Sequence, residues 1–205
     1  MSQTAKGLNI DQDRQPTIEI LQFFPLQGEW TEEDYFNLPE TNHFVELSEG
    51  RLIIPDMPGD LHQYVVGELF SILRVFVRQN KLGQVRISPL PVKLWKGKVR
   101  EPDVLFMSIE HSDRIGEAFW GIPDLAIEVL SKNNVKTDRL DKFSEYAKAG
   151  IAEYWIVDPD MQIIEVFVLK DNEYELFGKW GIKDIAHSKL LNGLEIAVED
   201  IMVQR

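Results

Sequence analysis

Apolar positions change their period several times along the chain, and each change marks a new element. In "DLHQYVVGELFSILRVFVRQNKLG", residues 60–83, Leu61, Val65, Leu69, Ile72, Leu73 and Phe76 recur at helical spacing. This predicts the longest helix, with Gly83 as its stop. Upstream, "TEEDYFNLP" opens with Thr31, follows it with acidic residues and closes at Pro39, which predicts a short helix. "HFVELSEGRLIIP" reads as a hairpin, two β-type runs around "SEG". Downstream, "QVRISPLPVKLW" is extended, and Pro89 and Pro91 predict an edge or a bend.

"DVLFM" and "DLAIEVL" are short, nearly continuous apolar runs, as expected of strands covered on both faces. Between them "IEHSDRIGEAFWGIP" is a connecting loop with room for one helical turn. "TDRLDKFSEYAKAG" predicts a helix capped near Thr137 or Asp138 and ended by Gly150, with Leu140, Phe143 and Ala147 on its apolar face. "AEYWIVDP", "MQIIEVFVLK" and "EYELFGKW" are three strands joined by tight turns at "PD" and "KDN", with Asp158 turning the chain beside Pro159. "LNGLEIAVEDIMV" adds one more strand or a docked segment. Residues 1–28 form a polar arm punctuated by Pro16, Pro25 and Gly28, and 29–205 form a single domain. The fold class is α/β (α+β), a mixed sheet flanked by helices.

Composition narrows the chemistry. Of 205 residues 44% are hydrophobic, enough for a sizeable core, and none is cysteine. Disulfides, thiolate metal sites and cysteine nucleophiles are thereby excluded. The N-terminus has no apolar core of signal-peptide length, and no run approaches the roughly 20 residues of a membrane span. A cytoplasmic protein is expected. The net charge of −12 disfavours general binding to nucleic acid. Two basic stretches run against that trend, Lys93, Lys96, Lys98 and Arg100 in one, and Lys132, Lys136, Arg139, Lys142 and Lys148 in the other. Both flank the two apolar strands. Taken alone, they read as solvated loops and a helix face.

A carboxylate inside an apolar strand is costly unless it is paired or coordinated. Glu128 sits in the middle of "PDLAIEVLSK", and Asp103 just precedes "VLFM". On neighbouring strands the two could share one hard cation, with the Val129 carbonyl as a further ligand. Magnesium or manganese so held would acidify a water and neutralise a phosphate oxygen, while a lysine orients the water and stabilises developing charge. A purely structural alternative pairs Glu128 with Lys142 or Arg139 as a buried ion pair. His43, His111 and His187 lack metal-ligand spacing and read as solvated, and Tyr146, Tyr154 and Trp155 read as packing.

"EPDV" followed by "AIEVLSK" resembles the PD-(D/E)XK nuclease superfamily. More closely, "FVELSEGRLIIPDMPGDLHQYVVGELF" and "PDLAIEVLSKNNVKTDRLDKFSEYAKAGIAEYWIVDPD" resemble a bacterial restriction-endonuclease-like family of the Uma-two type, over roughly residues 40–170. The resemblance implies a restriction-endonuclease-like sheet and a magnesium- or manganese-dependent endonuclease acting on DNA, commonly as a homodimer. It implies catalytic roles for Asp103, Glu128 and a lysine, with Glu46 and His62 near the site. In the superfamily that lysine follows the acid by two positions, where this chain has Leu130. The family's lysine lies on the next helix, which points to Lys142, 14 positions on (142 − 128). Lys132 competes, although four residues along a strand is about 13 Å. A non-catalytic nucleic-acid-binding or protein-interaction module with the same fold is the alternative function.

Overall fold

The computed structural model describes residues 24–39, 44–131 and 137–202. The greater part of the expected N-terminal arm, His43 and Lys132 therefore lie outside the described residues. Helix α1 (Glu32–Phe36) begins at Thr31, whose side chain and that of Asp34 cap one another's backbone amides. Strands β1 (Glu46–Ser48) and β2 (Arg51–Ile53) form the expected hairpin, turning at Glu49 and Gly50 with φ of 50° and 80°.

The long helix, α2, spans Asp60–Gln79 and buries Val65, Val66, Leu69, Leu73 and Val77. It stops before the predicted Gly83. Asn80 turns its side-chain amide back to the Phe76 carbonyl at 2.9 Å, and Lys81 takes a positive φ of 56°. Gly83 instead opens strand β3 (Gly83–Ile87), at a φ of 152° and so close to the Met107 carbonyl that a Cβ would collide with it.

The proline-rich run divides into β3 and β4 (Val92–Trp95), which belong to different sheets. With β5 (Lys98–Arg100), β4 completes a four-stranded sheet in the order β2-β1-β5-β4. The larger sheet contains β6 (Val104–Ser108), β7 (Leu125–Val129), β8 (Glu153–Asp158), β9 (Ile163–Lys170) and β10 (Glu173–Gly181). Its order is β10-β9-β8-β7-β6-β3. Only the β7–β8 pair is parallel, and a parallel pair needs a long crossover. That crossover carries a π-helical turn, Thr137–Lys142, running into helix α3 (Phe143–Ala149), which Gly150 ends in the left-handed region. A small β11 (Ile185–His187) and β12 (Glu195–Ala197) ladder follows, and α4 (Val198–Ile201) docks after it. The fold is thus mixed α+β, with a multi-strand mixed sheet flanked by helices.

Strand β7 explains the apolar run around Glu128. All five of its residues are buried. Leu125, Ile127 and Val129 pack in one cluster with α2, while Ala126 and Leu130 pack in another with Tyr146 of α3. Glu128 occupies the α3 side. Of the expected apolar face Phe143 and Ala147 pack inward, and the π-helical turn displaces only Leu140. Its wider winding breaks the 3.6-residue register, so Leu140 is 58% exposed while Lys142 turns inward. Among the described residues no helix is long and apolar enough to cross a membrane.

Replacing Gly83 with alanine is expected to cost roughly 3 kcal/mol, from the positive φ and the collision with the neighbouring strand. Urea denaturation should show it as a lower midpoint with an unchanged slope.

Candidate active site

Strands β6 and β7 run antiparallel with Val104 opposite Ile127, and continuing that register sets Asp103 opposite Glu128. Opposed residues in such a pair project to the same side. The Asp103 carboxylate accepts the Val129 backbone N–H at 2.8 Å and lies 3.2 Å from His62 Nε2 on the same oxygen. His62 comes from the first turn of α2. Both acids, His62, Val129 and Lys142 line one cleft of about 200 Å³.

Glu128 is 2% exposed and engages both carboxylate oxygens. Lys142 Nζ donates to Oε2 at 2.8 Å, and the Tyr146 hydroxyl donates to Oε1 at 2.7 Å. Lysine and tyrosine are four residues apart, which places them on one side of the helical segment. Lys142 faces more acid than it can match. Its Nζ lies 3.1 Å from Asp138 Oδ1, an ion pair without hydrogen-bond geometry, and 3.8 Å from Glu46 Oε1.

A second charged layer lies behind the first. Arg100, 2% exposed, donates from Nη1 to Glu46 at 2.6 Å, and from Nε and Nη2 to the two oxygens of Glu145 at 2.7 and 2.9 Å. Lys98 Nζ adds a bond to Glu145 at 2.7 Å. Glu145 belongs to α3, so these cations fasten the helix that carries Tyr146 to the four-stranded sheet. The basic stretch from Lys93 to Arg100 is therefore not simply solvated. Lys98 and Arg100 are buried and paired, and Lys93 bonds Glu32 at 2.6 Å. Arg139 pairs with Glu165 at 2.6 Å, not with Glu128.

Burial pushes the Glu128 carboxyl well above its ordinary range. Lys142 pulls it back, while the charges of Asp138 and Asp103 push it further up. Burial works against the charged form of Lys142, but the carboxylates of Glu128, Asp138 and Glu46 outweigh it and hold the ammonium well above its usual value. Lys142 is thus a firm cation at neutral pH. Burial also opposes charge on His62, and Asp103 together with the Val129 backbone overcomes it and raises the imidazole. Glu101 is raised to about 7, by burial first and the Glu46 charge second.

The structure brings together Asp103, Glu128, Val129, Lys142, Glu46 and His62. Asp138, Tyr146, Glu101 and Arg100 join them without having been singled out for that role. Asp138 carries a capping signal in the sequence, yet its carboxylate turns to Lys142. Tyr146 packs as expected, but its hydroxyl is spent on Glu128. Its place four residues after Lys142 is the signal that could have found it. Of the isolated histidines, His187 and His111 both have part-exposed side chains, each beside one acid, Glu195 at 3.8 Å and Asp124 at 2.6 Å.

Among the described residues no three histidine, cysteine, aspartate or glutamate side chains form a ready metal cage. The donor set is nevertheless all hard oxygen, and Glu101 Oε2 is buried in the same cleft without a hydrogen-bond partner. Such donors suit magnesium, which keeps most of its waters and needs only one or two carboxylates.

Two stability effects follow from these charges. Glu145→Ala leaves Arg100 and Lys98 buried without their shared partner, and a loss of roughly 3–5 kcal/mol is expected in urea unfolding. Glu101→Gln should act in the opposite direction and only above acid pH. A carboxyl at about 7 when folded, against 4.5 when unfolded, holds extra protons in the fold. Wild-type stability therefore falls as pH rises through that window. The glutamine variant should match wild type below the window and exceed it by on the order of 1–3 kcal/mol at pH 8, read from paired melting curves.

A crystal structure described as that of "a putative nuclease belonging to DUF820", from Anabaena variabilis, superposes with a TM-score of 0.71 at 22% identity. The match covers 84% of this chain and 97% of that one, and at this identity it establishes the fold. No curated protein matches. The Uma2 family, described as "Putative restriction endonuclease", matches residues 32–199, and the chain belongs to that family.

Proposed function

We propose that the protein is a metal-dependent endonuclease that hydrolyses phosphodiester bonds of DNA at the cleft between Asp103, Glu128 and Lys142. The observation that carries this reading is the surplus of acid around one lysine. A structural ion pair needs one carboxylate for Lys142, yet Glu128, Asp138 and Glu46 all lie within 3.8 Å of its Nζ. Asp103 adds its charge from the adjoining strand. Arg100 already matches Glu46 and His62 faces Asp103, which leaves Glu128 and Asp138 against the one Lys142, an excess that a further cation or a proton relieves.

Asp103 and Glu128, with the Val129 carbonyl, would hold magnesium or manganese. A cation bound there would supply Lewis acidity and an acidified water for attack at phosphorus. The residues of the chain do the rest. Lys142 keeps its proton, so it serves as a fixed positive charge beside the reacting phosphate rather than as a base. Tyr146 holds the Glu128 carboxylate in one orientation. Glu46, itself fixed by Arg100, steadies the lysine from the far side. His62, whose imidazole Asp103 raises, is held against that carboxylate and would be the group that passes a proton to a leaving oxygen.

One observation favours a second reading. The 2.8 Å bond from Lys142 to Glu128, closed by Tyr146, is by itself a complete buried ion pair. Plasmid and single-stranded DNA incubated with magnesium or manganese separate the two. Wild type is expected to cleave, with Asp103→Asn and Glu128→Gln slower by about 10²-fold or more. The same ions should raise the melting temperature of wild type and not of the double variant. A wild type that ignores both ions and leaves DNA intact would reduce the site to the ion pair.

A further inference from the structure

The cleft has two unlike sides. One is the cluster of carboxylates and Lys142. The other is mainly apolar, formed by Phe44 from the approach to β1 and by Ile53, Ile54, Pro55 and Pro58 from the end of β2 and the segment after it, with Asp56 as its one charged residue. Metal and phosphate chemistry uses only the first side, and nothing in the reading above requires the second.

The apolar side also continues outward. Ile54 is 63% exposed and Met57 61%, on a short segment stiffened by Pro55 and Pro58. Solvent-facing aliphatic side chains gathered at the rim of a charged cleft mark a contact surface. Among the described residues Lys93, Lys98 and Arg100 are paired within the fold and add little pull on a polyanion. A nucleic acid held here needs another source of affinity.

We infer that the cleft receives a nucleotide unstacked from its neighbours, its phosphate on the carboxylate side and its base against the Phe44–Pro58 wall. The substrate class is single-stranded or locally unpaired nucleic acid. This rests on the nuclease reading and deepens it. A base presents a flat apolar face that fits an apolar wall, and a base is out of reach in a stacked duplex. Aliphatic and proline side chains at such rims can also wedge between base steps and help to open them. At about 200 Å³ the cleft is below the roughly 300–1,000 Å³ of pockets for drug-sized ligands, so it has room for the base or the phosphate end of one nucleotide and not for a longer stretch.

The test uses the full chain, calcium in place of magnesium, and oligonucleotides carrying 2-aminopurine, followed by anisotropy and base fluorescence. Wild type should bind the single strand at least about tenfold more tightly than its duplex, the scale of one stacked base. A duplex with one mismatch beside the probe should gain fluorescence on binding. Ile54→Ser with Met57→Ser should lose about tenfold in single-strand affinity while keeping the wild-type melting temperature and its shift with metal. Equal affinity of variant and wild type, or a preference for intact duplex, overturns the inference and leaves the nuclease reading standing. A change of oligomeric state in the variant, seen by light scattering, overturns it too and makes the wall a contact between chains. Wild type that binds no nucleic acid and shows no metal-dependent melting shift removes the nuclease reading and this inference together.

Discussion

A carboxylate in the middle of a strand buried on both faces sets the terms for the rest of this fold. Glu128 can keep its charge there only while a cation stays against it, and Lys142 is that cation. Lys142 does not come from the sheet. Its helical segment must be pressed onto the sheet and kept from rotating. Tyr146 helps by donating to the same carboxylate from one turn further on. Behind them charges alternate from Glu128 to Lys142, Glu46, Arg100, Glu145 and Lys98. This line crosses from the six-stranded sheet to the four-stranded one. The site and the seam between the sheets are therefore one electrostatic object.

Parts of this were readable in the order of residues. Strands β6 and β7 announced themselves because burial on both faces leaves a continuous apolar run, in which Glu128 is conspicuous. The hairpin at Glu49–Gly50 and the cap at Thr31 are local, and local chemistry is written in neighbouring residues. Family resemblance, not periodicity, pointed to Lys142. Its segment winds as a π-helix, so the 3.6-residue pattern put Leu140 inside when it is outside.

Long-range pairing was the part that stayed hidden. Arg100 and Lys98 looked like a solvated basic loop because their partner, Glu145, lies 45 and 47 residues away. Asp138 carries a capping signal that holds equally for a surface helix, and only the position of Lys142 in space turns it into a site residue. Gly83 carried a helix-stop signal correct in kind but wrong in place. The side chain of Asn80 ends the helix first, and the glycine answers instead to the approach of Met107 on the neighbouring strand.

The internal pairing of the cations has a consequence for how the molecule would respond to its medium. Proteins that grip DNA with free lysines and arginines release condensed counterions, and their affinity collapses as monovalent salt rises. Here Lys93, Lys98, Arg100 and Lys142 already have carboxylate partners. These four are not free to displace sodium or potassium from a phosphate backbone. If DNA is the ligand, its grip would depend only weakly on monovalent salt and strongly on divalent ions, because a divalent ion would be the positive charge at the point of contact.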